Sequence, residues 1–113
     1  MSADWRKKLL RTLKAWAEER FPVEYPVRVY LRAKARMSGN LGLFEYDYDA
    51  ERGVISIQEG QDHAGTIDTF IEEWAHARTA SLIDTKDAED PWHHPTFWAE
   101  YGRIQQAARE RPW

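Results

Sequence analysis

Three residues close together in the chain, Glu72, Glu73 and His76, have the types and spacing to do chemistry. On a helix, Glu72 and His76 stand one turn apart, so both can point at one atom, and Glu73 can reach the same space. Two ligands one turn apart hold a divalent metal, and a Glu between them takes a proton from water activated there, as on the helix of a metal-dependent hydrolase. Taken alone, the same residues also describe an ordinary solvated helix face. Two features favour the chemical reading. Thr69, Ala80 and Ile83 share that face, so it is not uniformly polar. A second histidine pair, His93-His94, follows His76 by 17 residues and precedes a helix start.

Position is supplied by the helix that carries the group. From Thr66 to Leu82, Ile67, Phe70, Ile71, Trp74, Ala75, Arg78 and Leu82 recur at helical spacing and form one apolar stripe. His76 falls opposite that stripe, with the two Glu residues on either side of it. Upstream, residues 4–20 predict an amphipathic helix with Asp4 as its cap and Trp5, Leu9, Leu13, Trp16 and Ala17 inward. Pro22 and Pro26 force an extended connection after it. Val27–Lys34 and Gly42–Asp49 alternate as half-buried strands, and Val54–Glu59 is a third. Ser38-Gly39-Asn40 and Glu51-Arg52-Gly53 read as the turns of a three-stranded antiparallel meander, and Gly60–Gly65 as a loop. Asp84–Trp92 reads as an acidic loop without the ligand spacing of a calcium site. Pro95 opens a last helix with Phe97, Tyr101, Ile104 and Ala108 inward, and Pro112 ends it. Residues 1–113 are thus read as one α+β domain.

Composition narrows the setting. The chain has 113 residues, 31% of them charged, and no apolar run approaches a spanning helix. The absence of cysteine excludes disulfides and thiolate metal sites. With no apolar leader at the start, a cytoplasmic protein is expected. Charge is split: residues 1–36 hold ten Lys/Arg and four Asp/Glu, whereas residues 37–113 hold six and fifteen. The row Arg28, Tyr30, Arg32 and Lys34 is the kind that can track a phosphate backbone. Opposite charges on the next strand, Glu45, Asp47 and Asp49, offer a structural explanation instead, so a nucleic-acid partner is not expected. His63 reads as a loop residue, and the six Trp as packing residues.

Glu73-Trp74-Ala75-His76-Ala77, then His93-His94-Pro95-Thr96-Phe97-Trp98, then Tyr101-Gly102-Arg103-Ile104 resemble the motifs of small SprT-like and phage-type zincin-like metallopeptidases. The resemblance implies a zincin-like fold: N-terminal helix, three-stranded antiparallel meander, motif helix and C-terminal helix. It implies Glu73 as general base, His76 as a zinc ligand and His93, two before Pro95, as another. It also implies an edge strand that binds an extended peptide, which by order along the chain would be Val54–Glu59. The chain departs from the family at the first ligand, where Glu72 replaces His. His94 stands where a small residue is usual, and no cysteine zinc ribbon follows.

Glu72 changes the chemistry. A carboxylate binds zinc legitimately, and two His plus one Glu is a known catalytic set. The same set also suits non-haem iron. Glu72 lowers the charge of a metal site from +2 to about +1, so water there is acidified less. Glu73 beside a second carboxylate favours protonation of one of them when no metal is present. The residues leave several readings open: a metal site of Glu72, His76 and His93 with Glu73 as base for peptide-bond hydrolysis; a retained scaffold that binds a peptide or protein without cleaving it; a site silenced by exchanging His for Glu at position 72; and a nucleic-acid-associated protein using the basic half.

Overall fold

The structure, a computed structural model, describes residues 4–80, 93 and 95–113. The expected helix end at Leu82, Ile83, the acidic loop 84–92 and His94 lie outside the described residues, as does the side chain of Asp4. Six main elements follow one another: α1 (Asp4–Arg20), β1 (Val27–Arg32), β2 (Gly42–Asp47), β3 (Arg52–Gln58), α2 (His63–Thr79) and α3 (Pro95–Arg109). A single 3-10 turn, Lys34–Arg36, lies between β1 and β2. The class is α+β, with three helices and a three-stranded sheet among the described residues.

The sheet is mixed, which corrects the expected antiparallel meander. Its order is β1-β3-β2. β2 and β3 form an antiparallel hairpin with Phe44 opposite Ile55, while β1 runs parallel to β3 with Val29 opposite Ile55. The reason lies in the two connections. The β2–β3 turn is tight: the Asp47 carboxylate accepts the N–H groups of Asp49 and Ala50 at 3.1 Å each, and Glu51 takes a left-handed conformation at φ 54°. The β1–β2 connection is long and contains the 3-10 turn, so β2 clears β1 and leaves a strand-wide slot that β3 fills. A central strand is buried on both faces. Ile55, Ser56, Ile57 and Gln58 are consecutively buried.

The core lies between the sheet and the helices. Leu13 and Trp16 of α1, Ile55 and Ile57 of β3, Phe70 and Trp74 of α2, and Phe97 and Ile104 of α3 belong to one cluster. Trp74 donates its indole N–H to the Phe21 carbonyl at 2.8 Å, which fixes the chain where it leaves α1. Asp62 caps α2 by accepting the Gly65 N–H at 2.7 Å, so the helix starts at His63, earlier than the expected Thr66. Gln61 joins three elements. Its amide donates to the Leu41 and Gln58 carbonyls, its side-chain oxygen accepts from Thr69, and its main-chain carbonyl accepts from Arg6.

Helix α2 is enclosed far beyond its apolar stripe. Glu73 and His76, on the face opposite that stripe, are 6% and 9% exposed. Sheet strand β2 covers one side of this face and α3 approaches the other. Glu73 and His76 are therefore interior, unlike the solvated face that the pentapeptide alone also allowed, while the Glu72 side chain stands 41% exposed at the rim.

Candidate metal centre

Four side chains meet where α2, β2 and the start of α3 converge. Glu72 and His76 project from one face of α2, and His93 arrives from the residue preceding α3 by two. Donor atoms of Glu72, His76 and His93 all lie within 4.8 Å of one another. Glu72 Oε1 stands 3.9 Å from His93 Nε2, and the rings of His76 and His93 are 5.0 Å apart. Ligands about 2.1 Å from a tetrahedral ion stand about 3.4 Å from each other. The group is thus slightly open relative to a metal's first coordination sphere. Two imidazoles and one carboxylate fit a borderline divalent ion.

Aromatic packing sets the two rings. Phe97 lies flat against His76 at 4.2 Å between centroids and edge-on to His93 at 5.0 Å. Trp98 stacks on His93 at 5.6 Å while remaining half exposed. Phe97 thus packs on both His76 and His93, and Trp98 on His93, from the first turn of the helix that Pro95 opens.

Glu73 sits beside the group and faces β2. Burial, and then the neighbouring Glu72 carboxylate, push its pKa up to about 8. The sequence pointed to the carboxylate neighbour; desolvation is the larger cause. Gly42 makes this burial possible. A Cβ at position 42 would stand 2.5 Å from Thr69 Cγ2 and 2.9 Å from both Cγ and Oε2 of Glu73. Nothing larger than hydrogen lets β2 lie this close to α2. Sequence reasoning passed over Gly42 because the contact it permits joins residues distant in the chain. A glycine opening an otherwise alternating strand was the available signal.

The group opens on a groove of about 700 Å³ lined by residues 39–44, Glu72, Glu73, His76 and His93. Its strand wall is β2, not Val54–Glu59, which is central and paired on both sides. Gln58 donates its main-chain N–H to the Leu41 carbonyl at 2.8 Å. By antiparallel alternation, Leu43, Glu45 and Asp47 also bond to β3, and the main-chain groups of Gly42, Phe44 and Tyr46 point off the open edge of the sheet. The wall nearest the metal-ligand group is thus an edge strand.

No family model matches this chain, and no curated protein matches it. The reading of the site accordingly rests on its geometry. His63, expected in a loop, is instead the first residue of α2 because Asp62 caps the helix just before it; there it stacks on Trp5 at 6.1 Å, at the opposite end of α2 from the group. Among the described residues, no helix is long and apolar enough to cross a membrane.

Proposed function

We propose that this protein is a metallopeptidase-like hydrolase in which Glu72, His76 and His93 hold zinc and Glu73 is the general base. The observation that carries this reading is the convergence of three donor side chains beside a buried fourth carboxylate, all facing one edge strand. When bound, a divalent ion supplies Lewis acidity to a carbonyl and to water. Everything else comes from the chain. Gly42, Phe44 and Tyr46 offer main-chain donors and acceptors to an extended peptide added alongside β2. Glu73, reaching past Gly42, faces the same groove and takes the proton from the attacking water. Without a cation nearby its raised pKa keeps it protonated at neutral pH; an adjacent positive charge favours the carboxylate that a base requires.

A second reading has one observation in its favour. Glu72 reduces the positive charge available to ionise Glu73 and to acidify water. The same cleft would then bind a peptide at β2 without cutting it. Metal analysis of protein purified without chelator or nickel resin tests the first reading. Near-stoichiometric zinc that is lost in His76→Ala supports it, iron in its place would redirect it to oxygen chemistry, and metal-free protein sinks it. Peptidase assays on wild type and Glu72→His then separate the two. Activity in wild type supports hydrolysis; activity gained only in Glu72→His supports the non-cleaving cleft.

A further inference from the structure

The margin of the molecule farthest in the sheet from β2 is also the most basic. A groove of about 400 Å³ runs between α1 and the open edge of β1, lined by Lys7, Arg11 and Lys14 on one side and Val29, Tyr30 and Leu31 on the other, with Leu10 beneath. Lys7, Arg11 and Lys14 recur along one face of α1 at helical spacing. Arg28 and Arg32 lie on the opposite face of the sheet from α1, so the free edge of β1 runs between two rows of cations. Lys34 and Arg36 follow in the 3-10 turn just past the strand end.

Strand order removes the structural explanation for these charges. Glu45 and Asp47 are on β2, and β3 stands between them and β1. The residues facing Arg28, Tyr30 and Arg32 across the ladder are Val54, Ser56 and Gln58, none of them acidic. Among the described residues, none of these cations has a carboxylate within ion-pair distance; the ion pairs found join Arg78, Arg103 and His93 to acids elsewhere. Glu59 reaches this margin only through its main chain, donating its N–H to the Arg32 carbonyl at 2.8 Å. Arg32 instead covers the Tyr30 ring at 4.7 Å. Like charges gathered without counter-charges repel one another and present a positive field that attracts a polyanion.

We infer that the α1–β1 margin binds single-stranded nucleic acid through its phosphate backbone. Lys7 to Lys14 spans about 10 Å along the helix and Arg28 to Arg32 about 13 Å along the strand. Neighbouring phosphates of an extended strand stand about 6 to 7 Å apart, so that footprint holds two or three of them, and it is a narrow groove rather than a duplex-wide face. A lipid surface fits less well. The apolar side of α1, with Leu9, Leu13 and Trp16, is packed in the core and has no face left to insert.

Fluorescence anisotropy with labelled dT12 and U12 tests this, using wild type, the Lys7→Glu/Arg11→Glu/Lys14→Glu triple variant, a milder Gln triple at the same positions, and Arg109→Glu on α3 as control. Circular dichroism verifies the fold of each. The inference requires binding at 50 mM salt that weakens about 7- to 20-fold by 200 mM, the slope for two or three phosphates on a single strand. Charge reversal should weaken it more than about tenfold, the Gln triple by less, and the control by under twofold. Absence of binding at 50 mM salt overturns it. So does equal loss in Arg109→Glu, or competition by poly-glutamate as effective as unlabelled dT12, which would mark a site for acidic proteins. Metal content plays no part in these readouts, so they stand apart from the proposed hydrolase.

Discussion

The two edges of the sheet are built on opposite principles. At the β2 edge, a few unlike side chains converge: Glu72, His76 and His93 come from α2 and the start of α3 and meet within a few ångströms, with Glu73 buried beside them. At the β1 edge, many like side chains repeat without converging, and they stay in water. The first arrangement depends on burial, close approach and fixed rotamers; the second depends on charge density. The difference predicts how each edge responds to substitution. The β2 side should be sensitive to single atoms and the β1 side to net charge.

The largest effect is expected from His76→Ala. Loss of an outer-sphere partner typically costs 10- to 100-fold in metal affinity, so loss of a ligand should cost more than about 100-fold. Metal titration by calorimetry reads this, and oligonucleotide affinity should stay within twofold of wild type; parallel loss of both would dissolve the contrast between the edges.

Next comes the pH dependence of the chelated, metal-free protein. Glu73 has a folded pKa raised to about 8 from an ordinary 4.5. The folded state therefore holds a proton that the unfolded state releases, and stability is fully present below about 4.5. It falls as pH rises from there through about 8, by up to a few kcal/mol in total. Urea denaturation across this range should show the fall in wild type and a flatter profile in Glu73→Gln. Identical profiles would mean that Glu73 is solvated after all.

Gly42→Ala should cost about 1–3 kcal/mol, since the new methyl must displace Thr69 or Glu73 or lift β2 from α2. The same denaturation experiment measures it, and unchanged stability would show that the two elements are not in close contact. The smallest effect belongs to Tyr25→Phe. Tyr25 donates to the Ala77 carbonyl, and burial together with Tyr46 pushes its pKa up to about 12. Losing that bond should cost about 1 kcal/mol. The pKa of Tyr101 is also raised, by burial and by its hydrogen bond to Asp68, so ultraviolet titration should show one late-ionising tyrosine fewer in the variant than in wild type.

What could be read from the sequence follows from the range of each signal. The helices were legible because their signals are local; α1 came from the 3.6-residue period, and the start of α3 from the fit of Pro95 to a first helical position. The spacing of Glu72 and His76 was legible for the same reason, and His93 was reachable through its motif. Strand order was not, because alternation tells which way a side chain faces and nothing about which strand lies alongside. The consecutive burial of Ile55, Ser56 and Ile57 was the available hint, as Val54–Ile57 carries no charge where its neighbours do. That one misplacement had two consequences. It put the edge strand at Val54–Glu59 instead of β2, and it supplied acidic neighbours to β1 that the fold keeps a strand away. The burial of Glu73 was equally out of reach, since its cover comes from Gly42, thirty-one positions earlier.

Inserting β3 between two strands already made ties the history of the molecule's assembly to its layout. The β2–β3 hairpin can close early, over a few residues, but β1 gains its partner only when chain from more than twenty residues downstream returns to it. Neither edge exists as an edge until then. A fragment ending before Arg52 has no sheet to carry either surface, and a cut in the turn after Asp47 leaves β1 and β2 on one half and the strand that both must pair with on the other. Recombining such halves should restore metal binding and polyanion binding together, in one step.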